Sequence, residues 1–295
     1  VISIVFIDFE GKISDNYYLL DGMLMGMPKF LSIYVIENNG ERLMIDTGEA
    51  LKIRKIMQKM KEYGIFPIYK LILTHSHWDH AQGIVKLKEM MKDVNIEVYA
   101  SENAMQNLKN PQAMNEGYNY KIYPFADAIP LKEGDVIDLK GLKLDVINVF
   151  GHTMDSIALF DKKNKNVFLG DSVIMKLDYE SLFTPLMPPD FHESALLKTF
   201  EKLRSMRNDL NSLSIAHFGV WKGTEVNQIL DRMEDLYNET KAALIQWYKE
   251  NNSIDIITEN YCQKFIPNSK VWNVTVMKFI IKWMLDTLKR CRFIT

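Results

Sequence analysis

The chain is 295 residues long, 47% apolar and 25% charged, with a formal net charge of -2. That balance supplies enough apolar material for a sizeable core and excludes intrinsic disorder. It also excludes the basic excess of a general nucleic-acid binder, so no nucleic-acid partner is expected.

The opening run VISIVFI is too short to span a bilayer and has neither a basic flank nor a small-residue cleavage site. It reads as a first strand rather than a signal peptide. No later segment is long and apolar enough to be transmembrane, and no membrane partner is expected. Met23, Met25, Met27 and Phe30 follow, candidates for an apolar pocket lining, although methionines ordinarily fill cores. Ser32–Ile36, the turn Asn38-Asn39-Gly40 and Leu43–Ile45 read as a hairpin. A helix is expected over Leu51–Tyr63, with Ile53, Ile56, Met57 and Met60 on one face, then a buried strand Tyr69–Leu73. A helix over Gln82–Met91 and a strand over Ile96–Ala100 come next.

Val136–Leu139, Leu142–Val149, Ser156–Phe160 and Val167–Leu169 are four strand-like runs; Glu193–Arg207 reads as helical and Leu213–Ala216 as a last apolar run. Strands interleaved with helices indicate an α/β protein. After about Thr224 the texture turns helical. Val226, Ile229, Leu230, Met233, Leu236 and Tyr237 share one face. Ser253–Phe265 is a shorter helix. In the last one, Val276, Phe279, Ile280, Trp283, Met284 and Leu288 share a face flanked by Lys278, Lys282, Lys289 and Arg290. Docking on the domain is the ordinary fate of such a helix, ahead of a membrane surface. The chain thus divides into a catalytic-type domain, 1–223, and a helical C-terminal extension, 224–295. Those helices are open to walling a site, mediating a homodimer, or both. Cys262 and Cys291 lack metal-ligand spacing, so a disulfide framework is not expected and a reducing, cytoplasmic setting is.

The run LTHSHWDHAQG concentrates three of the six histidines with an aspartate, directly after an apolar run. Imidazole nitrogen and carboxylate oxygen suit borderline divalent cations. His75 and His77 are two apart, so in an extended segment they point the same way. Asp79 and His80 diverge unless the loop turns sharply, in which case they reach a second ion. His152 in FGHTMDS, Asp171 in FLGDS and His217 in SIAHFG each also follow an apolar run. Sites in open α/β folds are built at such strand ends. His192, in the proline-rich LFTPLMPPDFHES, and Tyr179 are further candidates for substrate contact.

This ordered set resembles the metallo-β-lactamase superfamily over roughly Phe30 to Gly219, through Asp46-Thr47-Gly48, His75–His80, Gly151-His152-Thr153, Gly170-Asp171-Ser172 and His217. The resemblance implies an αββα sandwich. It implies that His75, His77 and His152 hold one metal, Asp79, His80 and His217 a second, and that Asp171 bridges them. Asp46 is then a supporting group that steadies the ligand loop. Two divalent ions are implied, zinc first, with iron or manganese also suited to these ligands. An aspartic-protease reading of Asp46-Thr47-Gly48 fails for want of a second such triplet. An esterase reading of Gly170-Asp171-Ser172 fails because such segments lie near the N-terminus.

The expected chemistry is hydrolysis by a hydroxide activated between two metals, with Asp79 also orienting the attacking group. The layout is similar to the glyoxalase-II-like branch, which points to a thioester, lactone or other small acyl substrate. Ala216-His217-Phe218-Gly219 differs from that branch's G-H-E-Y, and Ile174 stands where lactonases carry a tyrosine. The alternatives are a phosphodiesterase or nuclease of the same fold, and an iron-dependent sulfur dioxygenase.

Overall fold

The computed structural model describes residues 6–116, 118, 120–176, 181–269 and 271–295. The first half runs β1 (Phe6–Ile7), β2 (Gly11–Lys12), β3 (Tyr17–Asp21), β4 (Ser32–Asn38), β5 (Glu41–Ile45), α1 (Ile53–Glu62), β6 (Lys70–Ile72), α2 (Trp78–Ala81), α3 (Ile84–Met90), β7 (Glu97–Ser101), α4 (Met105–Lys109) and β8 (Ile129–Leu131). The second half runs β9 (Val136–Leu139), β10 (Leu142–Asn148), β11 (Ile157–Asp161), β12 (Asn166–Phe168), β13 (Met175–Lys176), β14 (Leu182–Phe183), α5 (Glu193–Ser205), β15 (Ser212–Ile215), β16 (Gly219–Lys222), α6 (Thr224–Glu250), α7 (Ile254–Phe265) and α8 (Val274–Arg290).

One seven-stranded sheet has the order β2-β3-β4-β5-β6-β7-β8; the other has the order β1-β16-β15-β12-β11-β10-β9. Period-two alternation decides which residues fill which layer. On β4, Tyr34 and Ile36 enter the core between the sheets, while Ile33 and Val35 pack under α1 and α3. On β10, Leu144 and Val146 face the other sheet and Ile147 faces the outer helices. Both sheet faces are therefore covered, and the architecture is the expected αββα sandwich. The hairpin forms with Asn38 opposite Glu41, and Asn39 and Gly40 both take positive φ (51° and 84°), as a tight two-residue turn requires.

Several expectations shift. The first helix starts at Ile53, after a 3₁₀ turn over Ala50–Lys52, because Leu51 is off the buried stripe and 90% exposed. Strands β3, β8 and β16 have no counterpart in the sequence reading. Strand β8 carries Pro130 and lies at a sheet edge, the one sheet position that tolerates it. Of the opening run, only Phe6–Ile7 is described as strand.

Helices α6, α7 and α8 do not form a core of their own. Val149 and Leu213 of the second sheet's neighbourhood belong to one apolar cluster with Met233, Tyr261, Met277 and Met284. Helix α8 presents two faces rather than one. Met277, Ile281, Met284 and Leu288 are buried in that cluster, whereas Phe279 is 60% exposed. Among the described residues, no helix is long and apolar enough to cross a membrane.

Candidate metal centre

Parallel strands β5 and β6 end side by side, and the chain leaves both toward the same edge of the sandwich. From β6 the segment Thr74–His77 stays extended, and His75 Nε2 and His77 Nδ1 lie 3.1 Å apart. The chain then turns helical: His77 caps α2, and that turn swings Asp79 and His80 to the other side. This is the sharp turn that the adjacency of Asp79 and His80 demanded.

His152 arrives from the end of β10, Asp171 from β12 and His217 from the turn between β15 and β16. His152 Nε2 is 2.9 Å from His77 Nδ1. His75, His77 and His152 form one potential ion-binding group and Asp79, His80, Asp171 and His217 another, the donor atoms of each within 4.8 Å of one another. Asp171 lies between them. Its Oδ2 is 3.1 Å from His217 Nε2 and 3.5 Å from His152 Nε2, and its Oδ1 is 3.5 Å from His80 Nε2.

Hydrogen bonds on the far side of four of the rings, all but His77, fix which nitrogen looks inward. His152 Nδ1 donates to Pro185 O at 3.1 Å, His217 Nδ1 to Phe30 O at 2.8 Å and His80 Nδ1 to Asp46 Oδ2 at 2.8 Å. Thr74 Oγ1 gives its hydrogen to Asp46 Oδ2 at 2.8 Å and so accepts from His75 Nδ1 at 3.1 Å. Asp46 also accepts the Thr74 amide at 2.7 Å, on the oxygen that His80 does not use.

The donor set fits cations on two counts. His77 Nδ1 carries at most one hydrogen, yet it faces the inward nitrogens of both His75 and His152 at hydrogen-bond distance. In the second group, His80 Nε2 and Asp171 Oδ1 are buried without a hydrogen-bond partner, which costs free energy unless something else engages them.

The two groups differ in charge. Burial, reinforced by neighbouring imidazoles, holds His75 and His77 well below the ordinary histidine range; burial also lowers His152. Burial alone would lower His80 too, but the carboxylates of Asp79, Asp46 and Asp171 outweigh it and hold it well above. His217 is raised against burial chiefly by Asp171. Burial raises Asp79, whereas His217 and His80 overcome burial to keep Asp171 well below the usual carboxylate range. Buried negative charge must be balanced. Here the raised His80 and His217 are the rings that favour holding a balancing proton, in the place that a cation would otherwise take.

A second polar knot escaped the sequence reading. Asp155, 1% exposed, accepts from Ser76 Oγ, from Thr153 Oγ1 at 2.7 Å and from Asn107 Nδ2 at 3.1 Å. It ties the His75–His77 segment to the His152 loop. At Gly151 φ is +132°, and a Cβ would stand 2.3 Å from the Leu196 backbone, so α5 presses directly on that loop.

Above the two groups lies a cavity of ≈ 240 Å³ that His77, Asp79, His152, Asp171 and His217 floor. Met25, Met27 and Phe30 help to line it, while Met23 stands 2.9 Å (Sδ) from Lys55 Nζ instead. His192 does not reach it: the residue is exposed at the start of α5, with Ser194 Oγ 3.3 Å from its Nδ1. Tyr179 falls outside the described residues. Trp78, Tyr118 and Trp272 line the cavity and were not singled out from the sequence; Trp283, from the apolar face of the last helix, lines it as well. Their aromatic character alone does not separate a cavity wall from a core.

Comparison with known proteins agrees with this geometry. The model of the metallo-beta-lactamase superfamily matches residues 27–215. An atrochrysone carboxyl ACP thioesterase of Aspergillus fumigatus is 23% identical over 172 residues, 56% of this chain and 36% of that protein. A hydroxyacylglutathione hydrolase of Ruegeria pomeroyi is 27% identical over 46% of this chain and 44% of its own length. An acyl-coenzyme A thioesterase of Gallus gallus is 25% identical over 48% and 57%. The chain therefore spans between about a third and three-fifths of the curated relatives it matches. Among solved structures, a metallo-beta-lactamase family protein from Thermus thermophilus superposes with a TM-score of 0.70 at 17% identity, covering 96% of this chain and 95% of that one. A metallo-beta-lactamase from Pontibacter korlensis gives 0.57 at 16% identity, covering 76% and 97%. With that fold, and with its histidines and aspartates gathered at the strand ends, the chain belongs to the metallo-beta-lactamase superfamily.

Proposed function

We propose that the chain is a metal-dependent hydrolase with two divalent cations, zinc in the first instance, acting on a thioester, lactone or other small acyl substrate. His75, His77 and His152 hold one cation, Asp79, His80 and His217 the other, and Asp171 serves both. The observation that carries this reading is the placement of Asp171, within 3.5 Å of ring nitrogens from both groups. Cations so held supply Lewis-acid polarisation of an acyl carbonyl and acidify water.

The rest is done by the chain. Asp79 Oδ2 lies 3.6 Å from His80 Nε2 and 3.7 Å from His217 Nε2 and lines the cavity floor. It is the carboxylate placed to orient the attacking water and accept its proton. Asp46 holds the His80 ring and, through Thr74, the His75 ring. The apolar cavity walls keep bulk water from the floor, which strengthens each electrostatic contact there.

The names of the curated relatives, two thioesterases and a hydroxyacylglutathione hydrolase, support an acyl substrate. A phosphodiesterase is less well served, because none of the described residues lining the cavity is Lys or Arg. An iron-dependent sulfur dioxygenase has no use for a second complete donor group. The unpaired state of Cys262 and Cys291 suits a reducing, cytoplasmic setting.

Elemental analysis of the purified protein, joined to a panel of thioesters, lactones and bis-p-nitrophenyl phosphate, tests the proposal. Two equivalents of metal and acyl turnover that His75→Ala abolishes are expected. One equivalent of iron with oxygen uptake, or turnover of the phosphodiester alone, would overturn it.

A further inference from the structure

The chamber above the metal centre is built to take an uncharged chain. Val276, Phe279, Ile280 and Trp283 recur at helical spacing on α8 and form one wall. Met25, Met27 and Phe30 of the segment between β3 and β4 also line the chamber, as do Met175, Phe183 and Met187. The walls are braced by ring contacts: Phe30 meets Trp272 edge-on at 4.5 Å, and Tyr118 meets Trp283 edge-on at 5.0 Å. Among the described lining residues, every charged or imidazole group lies on the floor, and none is cationic in the manner of Lys or Arg.

Resting on the hydrolase reading, we infer that the acyl portion of the substrate is an uncharged aliphatic chain of medium length that lies along α8 with its carbonyl on the floor. Two physical facts support this choice. A carboxylate, phosphate or ammonium placed among these walls would lose its hydration without a compensating partner. An aliphatic chain gains from the same desolvation, and the polarisable, flexible methionines adapt to its shape. The size of the chamber sets the length. At ~30 Å³ for each water-sized group, 240 Å³ accepts a chain of roughly eight such groups.

Two measurements test the inference on the metal-loaded protein. In the first, kcat/KM is measured for N-acetylcysteamine thioesters from acetyl to dodecanoyl, with succinyl as the charged control. The expected rise is about two- to fourfold per methylene up to roughly eight carbons and then a plateau, as burial of successive methylenes predicts. Succinyl should be at least tenfold worse than butyryl. Val276→Trp and Ile280→Trp should each move the plateau to shorter chains, lowering the octanoyl-to-acetyl ratio by about tenfold. The second measurement needs no turnover. Three of the five tryptophans, Trp78, Trp272 and Trp283, line the chamber, so their fluorescence reports binding of n-alkanoates from butanoate to dodecanoate. Kd should tighten with length over the same range. Thioester turnover that is flat in chain length, or that favours succinyl, would overturn this inference and leave the hydrolase standing. Length-dependent binding with no turnover of any thioester or of any lactone in the panel would overturn the hydrolase and keep the ligand class. Binding that is also flat in length would sink the ligand class.

Discussion

Asp46 Oδ2 accepts the Nδ1 hydrogen of His80 at 2.8 Å, from a residue whose backbone takes a positive φ of 61°. The same carboxylate receives the Thr74 amide and hydroxyl, so one side chain sets the inward nitrogen of two histidines. Asp46→Asn keeps the size of the group but removes a charge-assisted acceptor. Metal affinity is expected to fall about 10- to 100-fold with little change in the fold. Competition with a chromophoric chelator measures it, and an unchanged affinity would refute the positioning role.

The protons on His80 and His217 make metal uptake pH-dependent. Both rings are raised, so each holds its proton to higher pH than an ordinary histidine and a cation must displace it, whereas His75, His77 and His152 are lowered. Calorimetric titration of the metal-free protein in buffers of different ionisation enthalpy should therefore show proton release on metal uptake, chiefly from the second group. The sign for stability follows. A raised folded value gives stabilisation that is complete below the ordinary histidine value of 6.5 and is lost as pH rises through the raised one. Metal-free protein should thus melt at lower temperature as pH climbs above 6.5, and metal should cancel the trend. Metal uptake without proton release would contradict this charge assignment.

Removing Asp155 leaves Ser76, Thr153 and Asn107 without the carboxylate to which all three donate. Asp155→Ala is expected to cost about 3 kcal/mol, at ~1–3 kcal/mol for each unsatisfied buried group. Denaturant unfolding measures the loss. Asp155→Asn should recover part of it, since the amide oxygen still accepts.

Gly151→Ala combines a clash with the Leu196 backbone and an unfavourable φ of +132°. A loss of about 2 kcal/mol or more is expected, in the range of overpacked cores. His152 follows Gly151 directly, so metal stoichiometry should fall along with the melting temperature. A variant as stable as the parent would mean that α5 yields at this contact.

Much of the centre was legible because its ligands follow a local rule. Each sits where an apolar run ends, and His75 and His77 share a direction by simple alternation. The four-residue helix α2 was not legible, since one turn leaves no periodicity to read, although Asp79 and His80 require some such turn. Asp155 was missed because a loop aspartate looks the same whether it is solvated or, as here, a buried acceptor. In α8 the stripe Val276–Leu288 was read as one face. The helix has a core side and a cavity side, and apolar residues suit both, so hydrophobicity alone does not divide Met277 from Phe279.

The wall that α8 gives the chamber separates two roles along the gene. All seven histidine and aspartate donors precede residue 218, while α8 begins at Val274. Under the proposed reading, exchanging the codons for Val276 and Phe279 would reshape the chamber without altering a single donor.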